Sequence, residues 1–243
     1  NYKVILRKGL RDMHSNRYTV VFMIIVTVIL GSFLSIANST LKNRQKQNIE
    51  NDSKKNILAS LGYKQNLDKP WTSDDIKRIF DENIDAYVLD IDGIRTDLDP
   101  KSINSETDTE YFPIYVDIKN SVPQGYSIPI SGKGLWSTLY GFFALEPDGI
   151  TVKGITFYAH KETPGLGGEV DKPWFQKNFI GKKIINDNGE LIGIKVIKGK
   201  ANPESSYEVD GISGATITSK GLENFLVDDL KKYEKFFKNI RKG

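Results

Sequence analysis

From Tyr18 to Ala37 the chain carries no charged residue and is dense in Val, Ile, Leu and Phe. About twenty such residues in a helix match the hydrocarbon thickness of a bilayer, so this run predicts one membrane-spanning helix. The competing reading is a cleavable signal sequence, since Ser35-Ile36-Ala37 ends in small residues. The run exceeds the 7 to 15 residues, roughly, of a signal h-region, which favours a retained anchor. Lys3, Arg7, Lys8, Arg11 and Arg17 precede the run and Lys42, Arg44, Lys46, Lys54 and Lys55 follow it, so basic residues alone do not orient the span.

What remains of the 243 residues is enough for one domain with its own core. The chain has no cysteine and only two histidines, which removes disulfides, thiolate metal sites, iron–sulfur clusters and a multi-histidine metal site. Redox chemistry in such a chain has to come from a bound organic cofactor. The net charge of +3 is spread among interleaved acids and bases, as in Asp228-Asp229 before Lys231-Lys232. That is a solvated surface, and no nucleic-acid partner is expected.

Residues 38–62 read as a helical stalk, with Ile49, Ile57, Leu58 and Leu61 at near-helical spacing. A single domain is expected over 63–243. Thr72 or Ser73 can cap a short helix through Phe80, with Asp74 and Asp75 in its first turn. Residues 92–109 read as loop. Short β-branched and aromatic runs follow at Tyr111–Ile118, Ser127–Ile130, Phe142–Leu145, Thr151–His160 and Ile194–Lys198, broken by Gly, Pro and Asp. Pro173 suits the first turn of a helix covering Trp174 to Phe179, and Asn186-Asp187-Asn188-Gly189 suits a hairpin turn. A closing helix from Ser219 to about Ile240 would lay Leu222, Phe225, Leu226, Leu230, Tyr233, Phe236, Phe237 and Ile240 on the sheet. The expected fold class is α+β: one transmembrane helix, then a mostly antiparallel sheet with packed helices.

Just before that closing helix lies Asp210-Gly211-Ile212-Ser213-Gly214-Ala215-Thr216-Ile217-Thr218-Ser219. Small and hydroxyl residues at a helix start leave unpaired N–H groups at the positive end of the helix dipole, where a phosphate can approach the backbone. The same stretch also reads as an ordinary turn, with Thr218 or Ser219 as the N-cap.

The segment resembles the flavinylation motif of the covalent-FMN subunit of the Na+-translocating NADH:quinone oxidoreductases, their C subunit, and of the related G subunit of Rnf complexes. Ser131-Gly132-Lys133-Gly134-Leu135-Trp136 and Glu162-Thr163-Pro164-Gly165-Leu166-Gly167-Gly168-Glu169-Val170 resemble the pattern of the oxidoreductase family in the same order and at similar separations. Lys161 departs from it, standing where the pattern has a small residue. The resemblance covers nearly the whole chain. It implies FMN held by a phosphoester to Thr216, attached by a flavin transferase that recognises the stretch containing Asp210. It also implies a short cytoplasmic N-terminus over 1–17, the span at 18–37, and the FMN-binding domain outside the cytoplasm. The chain would then be a single-pass protein of a bacterial inner membrane, in contact with lipid and with the other subunits of the complex.

In that reading Ser213, Gly214, Ala215 and Thr218 surround the phosphate, with Ser213 either binding it or only shaping the turn. Glu162, Thr163, Leu166 and Gly167 form an irregular loop for the edge and face of the isoalloxazine ring. Trp136 is either a stacking wall for the flavin or a core anchor. Lys198 is a cation near the flavin or simply a solvated strand end. His160 stands beside the loop but outside the expected site. The chain would relay electrons, while hydride entry from NADH, any iron–sulfur relay and the passage of sodium belong to partner subunits. The G subunit of an Rnf complex and a non-redox membrane-anchored binding or assembly module are the alternatives.

Overall fold

Thr72 starts the first helix of the globular part by reciprocal capping: the Asp75 N–H donates to its side chain (3.2 Å) and its own N–H donates to the Asp75 carboxylate (3.1 Å). The structure, a computed structural model, describes residues 16–66 and 68–242, apart from the side chain of Asn43. The expected cytoplasmic segment 1–17 therefore lies, but for its last two residues, outside the described residues. The chain divides into two compact units between Glu50 and Asn51.

Helix α1 spans Asn16–Ser60 and contains a window of mean hydropathy 2.7, long and apolar enough to cross a membrane. Within it the Thr27 hydroxyl donates to the Met23 carbonyl (2.8 Å), so this polar group is satisfied inside the helix.

In the unit that begins at Asn51, α2 (Ser73–Asn83) leads into β1 (Ile84–Asp90) and the two-residue β2 (Arg95–Thr96). Strands β3 (Tyr111–Lys119), β4 (Val122–Lys133), β5 (Thr138–Leu145) and β6 (Val152–Ala159) complete an antiparallel sheet in the order β2-β1-β3-β4-β5-β6. Helix α3 (Pro173–Lys177) has the expected proline in its first turn. Strands β7 (Lys195–Ile197) and β8 (Glu208–Asp210) pair in parallel, with Ile197 opposite Asp210. Helices α4 (Thr216–Lys232) and α5 (Glu234–Lys242) close the chain.

Both faces of the large sheet are covered. Leu222, Phe225, Leu226, Leu230, Tyr233 and Phe237 bury one side with Ile114, Ile128, Ile130, Leu139 and Phe143. On the other side Ile57, Leu58 and Leu61, at the end of α1 and just after it, pack with Phe80, Phe142 and Ala144. The last turns of α1 are thus part of the domain core. The Ser60 and Ser127 hydroxyls pair at 2.8 Å, and a Cβ on Gly154 would lie 2.4 Å from the Ser60 carbonyl oxygen, so only glycine admits the helix there.

Two expectations are corrected. The closing helix starts at Thr216, not Ser219, and it breaks at Tyr233. The Tyr233 hydroxyl, buried, donates to the Pro113 carbonyl (2.8 Å), and beyond the break Phe236 and Phe237 both set their rings edge-on to Tyr126. The loop over 92–109 also contains β2 and a 3-10 turn at Pro100–Ser102.

The Thr72 cap provides a local test. Thr72→Ala removes one side of the reciprocal pair and is expected to cost about 1 kcal/mol. The midpoint of urea unfolding measures it.

Candidate functional site

The three glycine-containing segments singled out from the sequence meet at one carboxylate. Between β4 and β5 the chain turns tightly, the Gly134 N–H donating to the Ser137 carbonyl (2.8 Å). The N–H groups inside this turn converge on Glu162: Trp136 (2.9 Å) and Ser137 (3.1 Å) donate to Oε1, and Leu135 (3.3 Å) donates to Oε2. A Cβ on Gly134 would lie 2.7 Å from Glu162 Oε1, which accounts for glycine at this position.

Glu162 opens the second segment and is 5% exposed. Its loop is folded on itself, the Thr163 carbonyl accepting from the N–H groups of Leu166 (3.1 Å) and Gly168 (3.0 Å). Gly165 has φ +74°. A Cβ on Gly167 would lie 2.6 Å from Glu162 Oε2 and 2.7 Å from Thr218 Oγ1.

The third segment enters from β8. Gly214 takes φ +72°, a conformation that favours glycine, and a Cβ there would lie 2.7 Å from Leu166 Cδ2. Ala215 is the N-cap of α4 and offers no capping side chain. The first ladder bond runs from the Ser219 N–H to the Ala215 carbonyl (2.9 Å), leaving the N–H groups of Thr216, Ile217 and Thr218 outside the ladder. Where α2 satisfies its first turn with Thr72 and Asp75, α4 leaves its N-terminus open to an external anion. Thr216, exposed, is the first residue of the helix.

Several expected roles change. Thr218 is not the N-cap and does not hold its hydroxyl proton for a phosphate: it is buried and donates to Glu162 Oε2 (2.7 Å). Ser219, the other expected cap, is likewise buried inside the first turns. The Ala215 N–H, expected to face a phosphate, donates to the Ile212 carbonyl (3.1 Å). Glu162, expected at the ring edge, turns its carboxylate inward to these chain groups. Trp136 is 71% exposed, so it is not a core anchor. Ser213, Thr163 and Leu166 are exposed.

Asp210 accepts from the Lys200 ammonium (2.6 Å) and the Ala201 N–H (2.9 Å), and these bonds set its carboxyl below the usual range. Lys198 lies on the surface one residue past the Ile197–Asp210 pair. Sequence reasoning missed Leu135 and Ile217, exposed apolar side chains on either flank of the site. Their place in the turn and in the first helical turn was the signal available.

Burial pushes the Glu162 carboxyl up, but the Thr218 hydroxyl and the N–H groups of Trp136, Ser137 and Leu135 outweigh it and hold the group below its ordinary value. A depressed carboxylate contributes stability above its unfolded pKa, about 4.3, and loses that contribution as pH falls through the folded value. Asp229, raised by burial, has the opposite sign and gains as pH falls. The wild type is therefore expected to exceed Glu162→Gln in stability near neutral pH, with the gap closing below about pH 4. Urea unfolding of both proteins across that range checks it, since Asp229 is common to the two and cancels.

The residues present fit an esterified flavin phosphate. The exposed Thr216 stands at an open helix N-terminus, a glycine clears the approach, and exposed Trp136, Leu166, Leu135 and Ile217 offer apolar surface for a flat ring.

The FMN-binding domain family matches residues 134–231. The chain is similar to the C subunit of the Na(+)-translocating NADH-quinone reductase of Pseudomonas aeruginosa, 34% identical over 96% of this chain and 98% of that protein. It is 35% identical to the corresponding protein of Haemophilus ducreyi over 88% of each. Among solved structures, the C subunit of the Na(+)-translocating NADH-quinone reductase from Parabacteroides distasonis superposes with a TM-score of 0.71 at 33% identity, covering 81% of this chain and 96% of that one. NqrC of Shewanella oneidensis gives 0.69 at 25% identity, covering 82% and 100%. By sequence along almost its full length and by fold, the chain belongs to the NqrC family, the C subunits of Na+-translocating NADH-quinone reductases.

Proposed function

We propose that this chain is the electron-transfer flavin subunit of a membrane Na+-translocating NADH:quinone oxidoreductase, and that it carries FMN as a phosphoester on Thr216. The observation that carries this reading is the exposed Thr216 at an uncapped helix N-terminus, inside the stretch matched by the FMN-binding family. The bound FMN supplies reversible electron uptake and release. The chain's own residues hold it. The first-turn N–H groups of Thr216, Ile217 and Thr218 and the helix dipole offset the charge that the phosphodiester retains. Trp136 and Leu166 flank the ring, and Lys198 adds a nearby positive charge.

A threonine hydroxyl is unreactive at neutral pH, so attachment requires a partner flavin transferase that moves FMN from FAD to the Thr216 oxygen with AMP as the leaving group, and Asp210 belongs to the stretch it recognises. The span within α1 anchors the domain in the membrane lipid, on the extracytoplasmic side. A covalent link suits that location, because lost FMN could not readily be replaced there. With no NAD fingerprint and no cysteine in the sequence, hydride entry and any iron–sulfur relay fall to the partner subunits, as does sodium passage.

Co-production with a flavin transferase, followed by a denaturing gel viewed under ultraviolet light, tests the proposal. Flavin fluorescence at the chain's own mass is expected, and a dark band from material made with an active transferase would refute it.

A further inference from the structure

We propose that Glu162 is a positioning residue that couples the turn bearing Thr216 to the ring-side loop at Leu135–Ser137, so that the two ends of the flavin site move as one body. The proposal rests on the flavin reading above for its functional meaning, but the coupling itself is a property of the chain. A carboxylate has about four acceptor positions on its two oxygens. Here four chain donors take them: Trp136 and Ser137 N–H on Oε1, Leu135 N–H and the Thr218 hydroxyl on Oε2. No position remains for a ring N–H, so the group acts through the backbone it holds.

The arrangement is built around this one charge. A buried carboxylate is tolerable only when its oxygens are satisfied, and a fully satisfied network is rigid. Side chains are excluded on both sides, since a Cβ on Gly134 or Gly167 would come within 2.7 or 2.6 Å of the carboxylate oxygens. The Glu162 N–H is itself anchored, donating to His160 Nδ1 (3.3 Å). Of the four bonds to the carboxylate, three come from a single turn and one comes from α4. That one, from Thr218, lies two residues past the expected flavin acceptor. It is the direct hydrogen-bonded link between the carboxylate and the helix.

Thr218→Val keeps the volume and branching of the side chain while removing the hydroxyl, and so cuts the link without touching the three bonds to the turn. Thr218→Ala is a second variant that introduces no new bulk, and Thr218→Ser restores the donor. Amide hydrogen exchange on the full chain in detergent reads the coupling, because it reports opening at each N–H separately. Exchange at Trp136 and Ser137, more than eighty positions away in sequence, is expected to rise about tenfold or more in the Val and Ala variants. Amides of Ile128 and Phe143 should keep wild-type rates, and Thr218→Ser should restore the turn. In the flavinylated protein the visible circular dichroism of the ring should weaken in the Val variant and recover in the Ser variant.

Wild-type exchange at Trp136 and Ser137 in both hydroxyl-free variants would overturn the proposal, as would a uniform rise across the core, which marks general destabilisation. A selective rise in the variants, with wild-type protein made alongside an active flavin transferase carrying no flavin on Thr216, would leave the coupling standing and refute the proposed function instead.

Discussion

Thr216→Ala is expected to remove covalent flavin completely while leaving the fold intact. Thr216 is exposed, its side chain is not the helix cap, and alanine is a good helix former, so the first turn of α4 should not depend on the lost oxygen. The Glu162 carboxylate keeps all four donors, because Thr218 supplies the helix-side bond. The change in stability should stay within about 0.5 kcal/mol. The loss of flavin is all-or-none because a phosphoester needs the oxygen. Visible absorbance of the denatured protein should vanish, and far-ultraviolet circular dichroism and the urea midpoint should match wild type. Flavin retained on the denatured variant would place the attachment elsewhere.

Gly221→Val carries the largest expected cost in stability. Gly221 faces the end of β4, and a Cβ there would lie 2.2 Å from the Lys133 carbonyl oxygen, with the Gly134 Cα also close at 3.5 Å. Neither neighbour is a flexible side-chain end. The helix would have to lift from the strand, and about one turn further on Phe225 leaves no room to adjust, since its Cβ sits 2.2 Å from where a Gly132 Cβ would stand. Forced overpacking against backbone is expected to destabilise by about 3 kcal/mol or more. It should also loosen the turn at Leu135–Ser137, because that turn continues directly from the displaced strand. Urea unfolding measures the first effect. A control at Gly181, where a Cβ meets nothing within 4 Å, should show only the milder strain of its φ of +79°.

The α+β class, the strands β3 to β6, the Thr72 cap, the proline in α3 and the turn at Asn186–Gly189 were legible because each rests on local chemistry. Gly189 takes the positive φ (+77°) that such a turn uses, and the Asn186 N–H donates to the Glu190 carbonyl (3.0 Å). Strand β1 was missed. Ile84–Asp90 follows α2 without a break and becomes a strand by pairing with β3 from Ile84↔Asp117 to Asp90↔Tyr111, a partner that no local pattern names. The parallel β7–β8 pair was missed for the same reason.

The three segments singled out from the sequence do meet in the fold, but their polar groups turn inward rather than outward. Glu162 and Thr218 carry groups a ligand could use, and each instead satisfies the other. Only the fold brings residues 56 positions apart within 2.7 Å, so no spacing rule could disclose the bond. The start of α4 was set late for a related reason: threonine and serine are the usual caps, whereas here Ala215 occupies that place and the hydroxyls lie inside the helix.

The central claim is that FMN is esterified to Thr216. Proteolysis of the chain purified with its complex, followed by tandem mass spectrometry, tests it directly. The peptide containing Thr216 should carry the added mass of FMN less water, with fragment ions placing it on Thr216 and leaving Ser213, Thr218 and Ser219 unmodified. An unmodified Thr216 peptide from an active complex, or the FMN mass on any other residue, would contradict the account.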